Sequence, residues 1–332
     1  MADVARSAGV SAMTVSRALK DGGSVVQETR DRIMQAVNEL GYVLDLSAGA
    51  LSSKQTGFVS VLIPSVNNSN FSETIRGISE ILSGEGIQIL FGYTNYSQAR
   101  EEQLIETMLQ RRPEGLILTG GVHTPRARQL LERAAVPVIE TWDLPADPID
   151  HTVGFSNAAT IEDMMSQMVT RGYRRIGFIG SETGENFRGN DRRLGYERAI
   201  EKFGLERSHI VSLGRPTESV EQGGPAVVRL IEEWPEVEAV VCVSDLSAFG
   251  VIMECRRRGW DVPGRLAVAG FGDFELSRFC YPSITTVCVA CTEMGHQAGN
   301  LMLKAIRGAR SGDVLSPQSI TIAHSIIERE ST

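Results

Sequence analysis

The chain has 332 residues, 42% of them hydrophobic, with 33 Lys and Arg against 41 Asp and Glu for a formal net charge of −8. That length allows two or three domains with sizeable cores. No run of about eighteen apolar residues occurs and no charged leader precedes an apolar run, so a cytoplasmic protein without a membrane anchor is expected.

Residues 3–19, DVARSAGVSAMTVSRAL, predict two short helices meeting at a glycine. Val4, Ala5 and Ala8 share one face of the first, while Asp3, Arg6 and Ser7 point away. Gly9 supplies a positive-φ residue that ends a helix at little steric cost. Ser11 is placed to cap the second helix by accepting from its open N–H groups. On that helix Val15, Ala18 and Leu19 share a buried face at 3.6-residue spacing, which turns Ala12, Met13, Ser16 and Arg17 outward. A small residue at 5, a glycine four later and an apolar residue six beyond that fit a helix-turn-helix, although an ordinary corner of two helices has the same local pattern.

A third helix is expected from about 28 to 40, with Ile33, Ala36, Val37 and Leu40 as its apolar stripe and Gly41 as its stop. Residues 44–56, LDLSAGALSSKQT, are too polar and small to build a core and read as a linker or a short inducible helix. Through residue 55 the chain holds six basic and six acidic residues, so the whole −8 lies in the remainder. A neutral headpiece gains little from phosphate neutralisation, and one such headpiece alone should bind DNA weakly.

From Phe58 the texture changes to buried apolar runs alternating with amphipathic segments. Strands are expected at 58–64, 87–93, 115–119, 137–141 and 151–155, then at 175–180, 209–213, 239–244, 266–271 and 284–289. Two such series at βαβ spacing predict an α/β core of two doubly wound, parallel-sheet subdomains. Ligands of such sheets bind beyond the carboxyl ends of the strands, so the cleft between subdomains is the expected effector site. Strand ends select Phe71, Thr119, His123, Glu140, Trp142, Arg193, Ser244, Asp245 and Asp273 as effector-binding candidates. Phe71 could stack on the apolar face of a sugar, and the Arg193 guanidinium suits a carboxylate or vicinal hydroxyls. Arg193 could instead be a solvated charge beside Arg192, and His123 an ordinary loop histidine.

The segments DVA, AGVS, TVSR, Thr29-Arg30 and ELGY, followed by Gly115-Leu116-Ile117-Leu118, Arg175-Ile176-Gly177, Ser244-Asp245 and Gly270-Phe271, stand in the order found in one family. The chain resembles the lactose/galactose repressor (LacI/GalR) family over essentially its whole length. Within that family AMTVSRAL, ILTGGVHTPRAR, VPVIETWDL and GFSNA most resemble repressors of gluconate utilisation. The resemblance implies a helix-turn-helix headpiece at 1–43, a hinge at 44–56, and a periplasmic-binding-protein-like core at 57–332. Its N-subdomain would comprise about 57–157 and 288–317, and its C-subdomain about 158–287 and 318–332, with crossings near 156–160, 286–290 and 316–320. It also implies a homodimer or higher oligomer on a palindromic double-stranded operator, and a carbohydrate effector such as gluconate.

On DNA, Arg17 is the expected base reader, Ala12 and Met13 could touch a thymine methyl, and Ser11, Thr14, Ser16 and Thr29 are candidates for phosphate. The resemblance places Leu51 as a minor-groove wedge and lets Ala48 permit close approach of paired hinge helices. By family position Arg193 is the arginine that grips effector oxygens. The chain departs from the family at Val26, where a capping Ser or Thr is usual, at Leu44-Asp45 before the hinge, and at Gly272, where many members carry aspartate. The sign of the response, induction or corepression, stays open. So does a second function, a cytosolic sugar-binding sensor with an impaired headpiece.

Enzyme chemistry is not expected. His123, His151, His209, His296 and His324 are scattered, and no HExxH, GxSxG, GxGxxG or Walker A motif occurs. Cys288 and Cys291 form one CxxC without the second pair that a zinc ribbon needs, so neither a metal nor a cofactor is expected.

Overall fold

A computed structural model describes residues 1–19, 25–43, 56–180, 187–206, 208–214 and 219–332. The chain divides into two units, Met1–Thr56 and Gly57–Thr332. Among the described residues no helix is long and apolar enough to cross a membrane.

Among its described residues the first unit holds three helices, α1 (Ala2–Ala8), α2 (Ala12–Ala18) and α3 (Gln27–Leu40). Gly9 closes α1 at φ 65°, and Gly41 closes α3 at φ 58°, each in the left-handed region expected of it. Val4, Ala5, Ala8, Val15, Ala18, Ile33 and Ala36 form the small core, with Val37 and Tyr42 packed against it. Leu40 is half exposed rather than part of the stripe. It is the last residue of α3, beyond the reach of the two short helices.

The second unit contains two six-stranded sheets. Strands β1 (Phe58–Ile63), β2 (Gln88–Tyr93), β3 (Leu116–Thr119), β4 (Val138–Thr141) and β5 (His151–Gly154) belong to the first. Strands β6 (Ile176–Gly180), β7 (Ile210–Ser212), β8 (Ala239–Cys242), β9 (Ala267–Phe271) and β10 (Thr285–Val289) belong to the second. All ten fall within the expected ranges. Helices α4 (Ser69–Ser83), α5 (Gln98–Gln110) and α6 (Pro125–Arg133) connect the strands of the first sheet. Helix α7 (Asn157–Thr170) leads from β5 to β6, and α8 (Phe187–Lys202), α9 (Val220–Glu233), α10 (Asp245–Arg258) and α11 (Glu275–Phe279) connect the strands of the second sheet.

Helix α12 (Cys291–Ser311) and strands β11 (Ser319–Thr321) and β12 (His324–Ile327) complete the chain. The sheet orders are β11-β5-β4-β3-β1-β2 and β12-β10-β9-β8-β6-β7. Every pairing is parallel except β12 against β10. Helices lie on both faces, so strands such as β6 and β9 are buried along their whole length.

The chain passes between the sheets three times. The first passage follows β5, and the second falls at Ala290 between β10 and α12. The third lies between β11 and β12, at 322–323 rather than 316–320, because the first sheet takes Ser319–Thr321 as its edge strand. Residues 288 and 289 likewise still belong to the second sheet.

Helices α4 and α12 approach so closely that their contact needs glycine. A Cβ on Gly77 would stand 2.4 Å from the Thr292 carbonyl oxygen, and one on Gly295 would stand 2.3 Å from that of Thr74. Both neighbours are backbone and cannot turn aside.

Candidate nucleic-acid interface and ligand cleft

The helix-turn-helix presents the residue types expected of it. Ser11 caps α2, its Oγ accepting from the Thr14 amide at 3.1 Å and lying 2.9 Å from the Thr14 hydroxyl. Ala12, Met13 and Arg17 are exposed together, with Met13 at 65%, while Thr14, Ser16 and Thr29 are half-buried. The outward face therefore offers one guanidinium among apolar and hydroxyl groups. Val26 stands at the N-cap of α3 with no side-chain cap bond, and Met1 does the same for α1. Each lost cap costs about 1 kcal/mol. Ala48 and Leu51 lie outside the described residues.

In the second unit, the carboxyl ends of both sheets face a cleft with two adjoining recesses. One is lined by residues including Glu101, Thr119, Asp143 and Arg188, the other by Phe71, Trp142, Arg192, Phe271 and Phe274. Tyr96 and Arg188 border both. An aromatic row joins the two sheets. Phe71 meets Trp142 edge-on at 5.0 Å between ring centroids, Trp142 meets Phe155 at 5.8 Å, and Phe155 stacks on Phe271 at 6.2 Å. Trp142 is held at φ 67° and donates its indole N–H to Thr74 Oγ1 at 3.2 Å.

Two arginines of α8 enter this cleft, four residues apart and so on one face of the helix. Arg192 is 5% exposed, donating from Nε to Asn157 Oδ1 at 3.0 Å and from Nη1 to the Val243 carbonyl at 2.8 Å. Its guanidinium carbon lies 3.5 Å from the centroid of Phe271. Arg188, 9% exposed, donates to the Thr119 carbonyl at 3.2 Å and so reaches from the second subdomain to the first. Asn70 ties the mouth from the other side, donating to the Gly272 carbonyl at 2.8 Å. Gly272 has φ 125°, where a side chain would be strained as well as crowded by Phe274, so an aspartate does not suit this position. Burial raises the carboxyl of Asp143 against the pull of the Leu144 amide and Arg188. Burial and the Asp143 charge also raise Asp191.

The strand-end candidates separate into two groups. Phe71, Thr119 and Trp142 line the cleft. Arg193 does not: it is the next residue round the helix, paired with Glu197 at 3.3 Å on the outer side. Ser244 caps α10 in a reciprocal bond with Ser247. Asp245 is fully buried, accepting from Thr286 Oγ1 at 2.6 Å and from the Phe274 amide at 2.9 Å, and burial pushes it up to about 6. Its place is beneath the loop that follows β9. Asp273 turns away to Arg278 and Arg329, which hold its carboxyl below the usual range against burial. Sequence reasoning missed Arg188, Arg192, Glu101 and Phe271. The signal for the arginines was present, because Arg188, Arg192, Tyr196 and Ala199 continue one buried helical face.

His123 and Glu140 lie behind the cleft wall. The His123 side chain is 2% exposed, donating from Nδ1 to Glu101 Oε1 at 2.7 Å and from Nε2 to Glu140 Oε1 at 3.2 Å. Glu140 accepts in turn from the Ile149 amide at 2.8 Å. Burial disfavours the histidine charge, yet the hydrogen bonds and the negative charges of Glu101 and Glu140 lift it to about 9. A pKa raised on folding contributes stability that is complete below about 6.5 and lost as pH rises through about 9. The urea midpoint is therefore expected to fall across that interval, and the fall should disappear in His123→Gln. An identical profile for the variant would remove the histidine as its cause.

The five cysteines are free thiols. Cys288 lies in β10 and Cys291 opens α12, and burial pushes them up to about 11 and about 12.

A helix-turn-helix headpiece joined to a two-subdomain core with a cleft at its strand ends defines a DNA-binding regulator built on a periplasmic-binding-protein-like body. Residues 1–45 match the family described as bacterial regulatory proteins, lacI family, and residues 165–332 match the periplasmic binding protein-like domain. The chain is 34% identical to the HTH-type transcriptional regulator GntR of Pseudomonas aeruginosa (strain PAO1) over 332 residues, covering 99% of this chain and 94% of that one. A LacI-family transcriptional regulator from Silicibacter pomeroyi has a solved structure with TM-score 0.90 at 32% identity, covering 99% of this chain and 98% of that one. The lac repressor dimer bound to operator shares the fold, with TM-score 0.82 at 20% identity, covering 99% of this chain and 98% of that one.

The chain belongs to the LacI family of bacterial transcriptional regulators. Its relatives named above are transcriptional regulators.

Proposed function

We propose that this regulator represses a carbohydrate operon as a homodimer on a palindromic operator, and that a sugar acid in the cleft controls it. The observation that carries the ligand class is the pair of nearly buried guanidiniums, Arg188 and Arg192, set against the rings of Phe71 on α4 and Phe271 on β9. Guanidinium forks recognise carboxylates in two-point geometry, and the rings suit the apolar face of a polyol chain. Similarity to a regulator named GntR supports the same class, and gluconate is the first candidate. Phe71, Thr119 and Trp142 complete the proposed ligand shell.

On DNA, Arg17 reads a guanine while Ala12 and Met13 meet a thymine methyl, and Ser11, Thr14, Ser16 and Thr29 hold phosphates. Ala48 and Leu51 act in the hinge. Two-fold symmetry compensates for a headpiece with two uncapped helices and no net charge.

Fluorescence anisotropy with palindromic DNA from the region upstream of the gene tests this reading. Salt-dependent, sequence-specific binding that gluconate shifts is expected, with Arg17→Ala losing roughly 1–3 kcal/mol and its preference at one base pair. Absence of specific binding at every effector concentration would favour a ligand sensor with an impaired headpiece.

A further inference from the structure

We propose that Glu101 reads the hydroxyl groups of the ligand, at the end of the cleft away from the Arg192–Phe271 stack, and that His123 is the positioning residue that aims it. The inference rests on the sugar-acid reading of the cleft and deepens it.

Glu101 lies on α5, where a charge at a helix surface would ordinarily be solvated. Here its side chain is 12% exposed and lines the recess shared with Ser97, Gln98, Thr119 and Arg188. Its Oε1 is held by His123 at 2.7 Å, His123 is held by Glu140, and Glu140 by the amide of Ile149. Three elements, the loop after β3, strand β4 and the loop before β5, thus fix this carboxylate of α5 from behind.

Such backing suits recognition and not mere packing. A buried carboxylate with one oxygen engaged retains lone pairs on the other, and these accept from hydroxyl donors at full charge-assisted strength. The supporting bonds remove the rotamer freedom that an isolated glutamate would lose on binding. With Arg192 taking the acid group and Arg188 spanning both recesses, a carboxylate in the recess that Arg192 does not line requires a ligand that also presents O–H donors. The inferred class is a polyhydroxylated acid, and hydroxyl-free carboxylates of similar length are discriminated against because Glu101 would be left desolvated without a donor.

Calorimetry on the full chain provides the test, with gluconate, hexanoate and a neutral aldose as probes. Gluconate is expected to bind the wild type, and Glu101→Gln and Glu101→Ala are expected to weaken it roughly ten- to a hundredfold. Thermal melts identify any variant that fails to fold, and glutamine keeps an acceptor for His123. His123→Gln should weaken gluconate as well. It should also abolish the decline in wild-type affinity expected as pH rises through about 9, where His123 loses its proton between Glu101 and Glu140.

Equal gluconate affinity in the wild type and both folded Glu101 variants would overturn the inference and leave the sugar-acid reading standing. Hexanoate binding as tightly as gluconate would overturn it too. Binding of the aldose but not gluconate, weakened by Glu101→Gln, would uphold hydroxyl recognition and end the sugar-acid reading. Failure of all three probes to bind the folded wild type would overturn both.

Discussion

Arg188→Ala is expected to abolish the effector response while operator binding without effector persists, and Arg193→Ala is expected to leave both intact. Arg188 borders both recesses and spans the cleft to the Thr119 carbonyl. Removing it deletes the proposed charge-assisted contact to the ligand and the bond to the Thr119 carbonyl that ties the subdomains. A loss of about 3 kcal/mol, on the order of a hundredfold in ligand affinity, follows from such a truncation. Arg193 pairs with Glu197 one turn along the helix, a partly exposed pair of small energetic value. Calorimetry and anisotropy on the two variants decide the matter. A normal response in Arg188→Ala together with a lost one in Arg193→Ala would return the role to the outer residue.

The second large effect concerns the core. Gly295→Val is expected to destabilise the chain by about 3 kcal/mol or more, a fall in Tm of roughly 6–12 °C. Its Cβ would press on the Thr74 carbonyl oxygen at 2.3 Å and on the Cα of Gly77 at 2.9 Å. The two helices would have to separate at the root of α4, which carries Asn70 and Phe71 into the cleft. Gly84→Ala serves as the comparison, since its neighbour at 3.6 Å leaves room and its φ of −59° suits alanine. That change should be neutral or slightly stabilising. Equal melts for the two variants would show that the α4–α12 contact tolerates a side chain.

Most of the architecture was legible in the sequence because buried parallel strands write themselves as short apolar runs between Gly and Pro. The strand Arg175-Ile176-Gly177-Phe178-Ile179-Gly180 is the plainest case, and its observed span is Ile176–Gly180. Strands β11 and β12 were not legible. Three and four residues long, half-exposed and partly polar, they carry no usable period, and the pairing of β11 with β5 rather than β12 depends on tertiary contacts.

The cleft was legible in position and less so in detail. Strand ends led to Phe71, Thr119 and Trp142, which line the recesses because sheet geometry fixes where those ends point. Helical phase decides among Arg188, Arg192 and Arg193, and a rule based on strand ends does not contain it. His123 and Glu140 illustrate a different limit. His123 follows β3 and Glu140 lies near the end of β4, yet the geometry turns His123 onto Glu140 and Glu101 rather than into the recess. The residue that reaches the recess comes from a helix whose charges gave no sign of burial. Asp245 and Asp273 likewise stand at strand ends, but local donors and arginines claim their carboxylates.

The central claim is that one ligand in the cleft governs one operator on the headpiece, and such coupling is reciprocal. The direct measurement is gluconate affinity, by calorimetry, for the free protein and for the protein saturated with its operator. The account predicts two different affinities, whose ratio equals the factor by which gluconate changes operator affinity in anisotropy. Identical gluconate affinity with and without operator, in a protein that binds both, would contradict it.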